Sequence, residues 1–252
     1  MKTILEGTQI KKVYSTGGTT FKALKGVDLQ IQEGEFVGIM GPSGSGKTTL
    51  LNVLSTIDQA TSGEILINGK NIVKMNDDTL ALFRRNHLGF IFQDYNLLDT
   101  LKVKENIALP LALSKVKATK IDRRVLEIAK KFGIDHILHQ FPYQVSGRQK
   151  QHCAASRDPS MIFANEPTGA LDSKSATDLL ESIQALNEQD SATILLVTHD
   201  AFAASYCKRV IFIKDGEIYK ELFRESLSHQ PFFQQVVNIM SEVSGGMVDD
   251  II

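Results

Sequence analysis

The chain is poor in the features that would place it within a membrane or outside the cell. No apolar run in it approaches the roughly 18 residues that a membrane-spanning helix needs. A membrane position would therefore require a partner. The opening stretch Met1-Lys2-Thr3-Ile4-Leu5-Glu6 meets an acid too early for a secretory signal. There are only two cysteines, Cys153 and Cys207, without ligand-like spacing, so reduced thiols of a cytoplasmic protein are expected. Charge is nearly balanced, at −1 from 28 basic and 29 acidic residues, and gives no footprint of a general nucleic-acid binder. No internal repeat or low-complexity tract occurs. What remains is ordinary: 252 residues, 42% apolar and 23% charged, enough for one large α/β domain or two small ones.

One stretch organises the rest. Gly41-Pro42-Ser43-Gly44-Ser45-Gly46-Lys47-Thr48 fits G-x-x-x-x-G-K-[ST], the phosphate-binding loop. The apolar run Phe36–Met40 before it reads as a buried strand, and Thr49–Leu54 after it as a helix. Glycines let backbone N–H groups close around an anion, and the helix N-terminus adds its positive end. Lys47 is suited to reach the β- and γ-phosphates and the Thr48 hydroxyl to ligate Mg²⁺.

Around the loop the hydrophobic period alternates between strand and helix. Residues 3–40 are expected to form short strands, with turns at Gly17-Gly18 and Glu33-Gly34; Tyr14 falls among them, where a half-buried strand aromatic is the ordinary reading. Thr61-Ser62-Gly63 reads as a turn, Glu64–Ile67 as a strand and Asn68-Gly69 as a hairpin. Asp77 or Asp78 is expected to cap a helix running through Arg85. Leu88–Phe92, Met161–Ala164 and Thr193–Val197 read as buried strands, with Gln93, Asn165-Glu166 and His199 at or just beyond their ends. Between them the chain turns helical from about 103 to 157. Ile121, Val125, Ile128, Ala129 and Phe132 form a core face there, and Ser146 opens a further helix. A long helix begins at Ser173, and strands at 209–213 and 217–222 close the sheet around Asp215-Gly216. Strands alternating with helices imply a mostly parallel sheet, with ligands at its carboxyl edge. Gln93, Glu166, His199 and the phosphate-binding loop all fall at that edge.

Taken together, Gly41–Thr48, Gln93, Val145-Ser146-Gly147-Arg148-Gln149, Phe163–Thr168, Ala170-Leu171-Asp172 and His199 resemble the ATP-binding subunits of ABC transporters in order and spacing across residues 3–222. The stretches at 92–101, 168–175 and 203–207 resemble the bacitracin-type peptide-antibiotic resistance and sensing branch, related to lipoprotein-release and macrolide-export ATPases. The resemblance implies a P-loop NTPase cassette: an α/β fold with a mostly parallel core sheet, an N-terminal antiparallel β subdomain, a helical insert at about 93–158 and a tail at 223–252. It implies an ATPase that binds ATP and Mg²⁺, works as a homodimer and docks on a separate integral-membrane permease at the cytoplasmic face of the cell membrane.

The implied roles follow the motifs. Tyr14 stacks on adenine, and Gly41 to Thr49, through Pro42, Ser43, Gly44, Ser45, Gly46, Lys47 and Thr48, hold the phosphates. Thr48, Gln93 and Asn165 attend the metal. Glu166 polarises the attacking water and His199 meets the γ-phosphate. Ser146, Gly147 and Gln149 face the nucleotide of the second copy, and Asp172 lies at the dimer seam.

Three departures from the family pattern concern chemistry. Arg148 stands where the signature has its second glycine; its side chain is expected to crowd the opposing nucleotide, with pairing to its phosphate as the alternative. Asn165 stands where the family has an aspartate, removing a charge that a hard cation prefers. The segment between Gln151 and Pro159 is about four residues short, roughly one helical turn, and His152 replaces the usual arginine. Two functions therefore stand side by side: an energy-coupling transport ATPase, and a nucleotide-binding, weakly hydrolysing subunit with a sensing role. A soluble ABC protein of repair or translation would carry paired cassettes or long coiled coils, and neither is present.

Overall fold

The computed structural model describes residues 2–92, 97–113, 116–131, 133–146, 149 and 160–245. Strands β1 (Thr3–Thr16) and β2 (Thr19–Gln32) form a long antiparallel hairpin. Each has 14 residues, so the short strands expected from sequence are replaced by two long ones. The reason lies in the register, which shifts between Gly7 and Ile10 and between Lys12 and Val13. Such bulges interrupt the in–out alternation that marks a continuous strand. Strand β4 (Ser62–Ile67) joins the free side of β1, and the two-residue β5 (Lys70–Asn71) follows the turn at Asn68-Gly69.

The second sheet holds β3 (Phe36–Met40), β6 (Leu88–Phe92), β7 (Met161–Asn165), β8 (Thr193–Val197), β9 (Arg209–Lys214) and β10 (Glu217–Phe223), in the order β10-β9-β3-β8-β7-β6. All neighbours run parallel except β10, which returns antiparallel to β9. Strand β3 is thus central, and the loop it feeds emerges mid-sheet.

Helix α1 (Lys47–Leu54) lies between the two sheets. Its Leu50, Leu51 and Leu54 share one core with Leu5, Ile10 and Ile31 of the antiparallel sheet and with Val37 and Ile39 of β3. Phe36 and Met40, on the other face of β3, pack with helices α5 (Ser173–Asp190), α6 (Ala201–Ala204) and α7 (His229–Val243). The alternation along β3 therefore builds two separate cores. Phe232 and Val236 of α7 are fully buried in the second one, so this part of the tail packs on its own chain.

Helix α2 (Asp77–His87) is capped by Asn76, whose side chain accepts from the Thr79 N–H at 2.9 Å. The expected cap at Asp77 or Asp78 is corrected by one position. Both acids instead occupy the first turn, where the helix dipole favours negative charge. Helices α3 (Val103–Leu113) and α4 (Ala118–Lys131) carry a third core, in which Val125 and Ala129 are buried as their spacing predicts. Phe132 lies outside the described residues.

Candidate nucleotide-binding site

The loop between β3 and α1 is closed by its own backbone and tied to the turn at 215–216, which is itself tied to β2. The Ser45 N–H donates to Pro42 O, the Gly216 N–H donates to Ser45 O at 3.0 Å, and the Lys25 N–H donates to Gly216 O at 3.0 Å. Turn 215–216 and strand β2 thereby buttress the loop from outside. Gly41 has a φ of 153°, and a Cβ there would meet the Ile213 carbonyl oxygen at 2.1 Å. Gly46 caps α1 in the left-handed region, at φ 104°, and a Cβ there would stand 2.6 Å from Ala23 O. Both positions require glycine, by conformation and by space.

Lys47 Nζ donates to the carbonyls of Gly41 and Pro42, each at 2.9 Å, and so spans the loop. Burial lowers its pKa, while the Glu166 carboxylate acts in the opposite direction. Ser43, Gly44 and Thr48 are exposed, whereas Ser45 is buried. Ser45 Oγ and Asn165 Oδ1 are buried polar atoms with no hydrogen-bond partner among the described residues. Leaving such groups unsatisfied is costly in a folded protein. The Asn165 amide oxygen at the end of β7 and the exposed Thr48 hydroxyl are oxygen donors of the kind a hard cation takes. The amide lacks a carboxylate's charge.

Glu166 follows β7 in a positive-φ conformation, at 45°, an uncommon state for a side chain of this type. Its N–H donates to Val197 O at 2.9 Å. Its carboxylate is clasped from β8: Thr198 Oγ1 donates to Oε2 at 3.1 Å, and His199 Nδ1 lies 2.9 Å from Oε1. Thr198 Oγ1 also accepts from the Asp200 N–H at 3.0 Å. The His199 ring is largely exposed and the Glu166 side chain mostly buried. A cleft of about 520 Å³ opens beside the pair, lined by Thr168, Leu171 and Phe202 among others.

The remaining candidates fall in separate places. Tyr14 stands on β1, 39% exposed, its hydroxyl donating to Asp58 Oδ2 at 2.8 Å. Asp172 caps α5 by accepting from the Ser175 N–H and hydroxyl, and these bonds hold its carboxyl below the usual range. Ser146 and Gln149 bond to each other, the Ser146 N–H donating to Gln149 Oε1 at 2.9 Å, in the reciprocal pattern of a helix start. Gln149 also meets His136. Gln93, Gly147, Arg148, His152 and the shortened segment lie outside the described residues. Sequence reasoning missed Thr198, Asp58 and Lys12, since none belongs to a spaced motif. The only sequence signal for Thr198 is its position directly before His199.

A central parallel strand, a glycine loop with its lysine and a helix starting on that lysine define a P-loop nucleotide-binding protein. The ABC transporter family model matches residues 24–169. The chain is 53% identical to the bacitracin export ATP-binding protein BceA of Halalkalibacterium halodurans, across 98% of this chain and 99% of that one. It is 49% identical to the ABC transporter ATP-binding protein YxdL of Bacillus subtilis, across 99% and 98%. The dimeric, post-hydrolysis structure of the ATP-binding cassette MJ0796 with ADP and Pi, from Methanocaldococcus jannaschii, superposes with a TM-score of 0.80 at 38% identity. It covers 88% of this chain and all of that one. The chain belongs to the ABC transporter family, as an ATP-binding cassette and transport-coupled ATPase.

Proposed function

We propose that this subunit drives or gates a separate membrane permease that handles bacitracin-like antimicrobial peptides, from the cytoplasmic face of the membrane. The relation to a bacitracin export ATP-binding protein supports the substrate class. No helix among the described residues is long and apolar enough to cross a membrane, so the permease is a different chain or segment. The observation that carries the catalytic reading is the Glu166 carboxylate, held from β8 by Thr198 and His199 and acting electrostatically on Lys47 of the loop.

In this reading Tyr14 stacks on the adenine and the loop from Gly41 to Thr49 wraps the phosphates. Thr48, Gln93 and Asn165 would hold Mg²⁺, which would neutralise charge on the phosphates. Glu166 orients and polarises a water for in-line attack on the γ-phosphorus. His199 holds Glu166 from one side and reaches the γ-phosphate from the other. Ser146, Gly147 and Gln149 of one copy face the loop of a second copy, with Asp172 at the seam. Phosphoryl transfer depends mostly on such positioning and charge stabilisation.

Asn165 supports a second reading, in which the subunit binds ATP, hydrolyses it slowly and serves as a sensor. Its amide offers an acceptor without the charge, and Arg148 adds bulk at the signature stretch. Steady-state hydrolysis of Mg-ATP by the purified chain decides between them, with Lys47→Ala as the blank and an Arg148→Gly, Asn165→Asp double variant beside it. Turnover well above the blank supports the transport ATPase. Binding with turnover near the blank, rescued in the double variant, supports the sensor.

A further inference from the structure

Asp58 is bound into a cluster with Tyr14 and Lys12, of which the nucleotide reading uses only Tyr14. Its Oδ2 accepts from the Tyr14 hydroxyl at 2.8 Å and its Oδ1 accepts from Lys12 Nζ at 2.6 Å. Lys12 Nζ also donates to Gln59 O at 2.7 Å and stands 4.8 Å from the centre of the Tyr14 ring. The ammonium therefore covers one face of the ring, and a base can stack only on the other. The two oxygens of one carboxylate fix the phenol tip and the cation that backs the ring. Without them the phenol would keep only its contact with Thr49 at the start of α1, and the ring would be less firmly placed.

Asp58 is itself fixed to the phosphate-binding helix. The N–H groups of Ile57 and Asp58 both donate to Asn52 O, at 2.9 and 3.0 Å, so the segment after α1 folds back on that helix. The strand is stitched to the same segment: the Thr61 N–H donates to Lys11 O, and the Val13 N–H to Thr61 Oγ1 at 2.9 Å. Helix α1 begins on Lys47 and spans eight residues, about 12 Å of axis. One rigid element thus carries the phosphate cradle at its start and the anchor of the aromatic ring just past its end.

We propose that Asp58 is a positioning residue for nucleotide recognition: it sets the Tyr14 ring, backed by Lys12, at a fixed place relative to the phosphate-binding loop. This rests on the reading of Tyr14 as the platform for the base. Base–aromatic stacking contributes about tenfold or more in affinity. The hydrogen bond that orients the ring contributes a smaller part, about fivefold.

The test compares two ligands by calorimetric titration of the full chain: Mg-ATP, and Mg-tripolyphosphate, which has the phosphates but no base. Asp58→Asn and Tyr14→Phe are each expected to weaken Mg-ATP about fivefold. The double variant should be weakened by less than the two single effects combined, because both act on the same link, Asp58→Asn by removing its charge and Tyr14→Phe by removing its donor. Tyr14→Ala should weaken Mg-ATP about tenfold, and tripolyphosphate affinity should be unchanged throughout. If Tyr14→Ala loses affinity while Asp58→Asn binds Mg-ATP like the parent, the positioning role falls and the stacking reading stands. If Tyr14→Ala binds Mg-ATP like the parent, both fall. Equal weakening of the two ligands by Asp58→Asn would overturn the proposal, placing the effect on the loop.

Discussion

Thr198 donates its hydroxyl to Oε2 of Glu166 across 3.1 Å, the two residues lying just past the ends of the neighbouring strands β8 and β7. With His199 on the other oxygen, the carboxylate is oriented by two neighbours on one strand end. A general base is effective only when its geometry is held. Thr198→Val keeps the shape and removes the hydroxyl. It is expected to lower kcat about tenfold, the scale of one hydrogen bond to a charged group, with the Mg-ATP affinity unchanged. Glu166→Gln should bind Mg-ATP and turn over at the level of Lys47→Ala. A Thr198→Val enzyme with parental kcat would show that Glu166 needs no such support.

Asn165, at the end of β7, presents a buried amide oxygen with no hydrogen-bond partner among the described residues. Replacing it by Asp adds the charge that a hard cation prefers. Asn165→Asp should tighten the Mg²⁺ dependence of ATP binding about tenfold, which is ~1.4 kcal/mol, measured by titrating metal at fixed ATP. Unchanged metal dependence would place Asn165 outside the metal's reach.

The phenol–carboxylate link between Tyr14 and Asp58 should be insensitive to pH near neutrality. Burial pushes the Asp58 carboxyl up, but hydrogen bonds from Lys12, Tyr14 and the Gln59 N–H outweigh it and hold it below the usual range. A depressed carboxyl keeps its contribution above the ordinary value of about 3.9 and loses it as pH falls through the lowered value. Burial and the Asp58 contact push the Tyr14 phenol above its ordinary value of about 10, against smaller pulls from Thr49 and Lys12. Its donor form therefore persists until pH rises past that point. The ratio of parental to Asp58→Asn affinity for Mg-ATP, in which the ligand's own titration cancels, should stay flat between about pH 5 and 9. A titration of that ratio near pH 7 would assign control to another group.

Phe232 is fully buried between α7 and the central sheet. Truncating such a ring to alanine costs about 3–5 kcal/mol. For a domain of this size that is a fall of roughly 6–20 °C in Tm. The fall should be the same at low and high protein concentration, because the helix packs on its own chain. A concentration-dependent loss would indicate packing against a second copy.

Much of the site was legible because its parts are local. The phosphate-binding loop is a run of consecutive residues, and its glycines are required by conformations that the motif encodes. Glu166 and His199 could be placed at strand ends because apolar runs of four or five residues mark the buried parallel strands before them. Long β1 and β2 were not legible as such, since bulges break their alternation, and the cap of α2 fell one residue from its expected place.

The sequence by itself determined the class of the chain, its phosphate-binding loop and the order of strands and helices, because these depend on neighbours along the chain. Only the tertiary structure decided what holds the chemistry in place. Thr198 reaches Glu166 across 32 positions, and Tyr14 reaches Asp58 across 44. No local period encodes contacts of that range. They exist because β7 pairs with β8 and because the segment after α1 is stitched back onto β1.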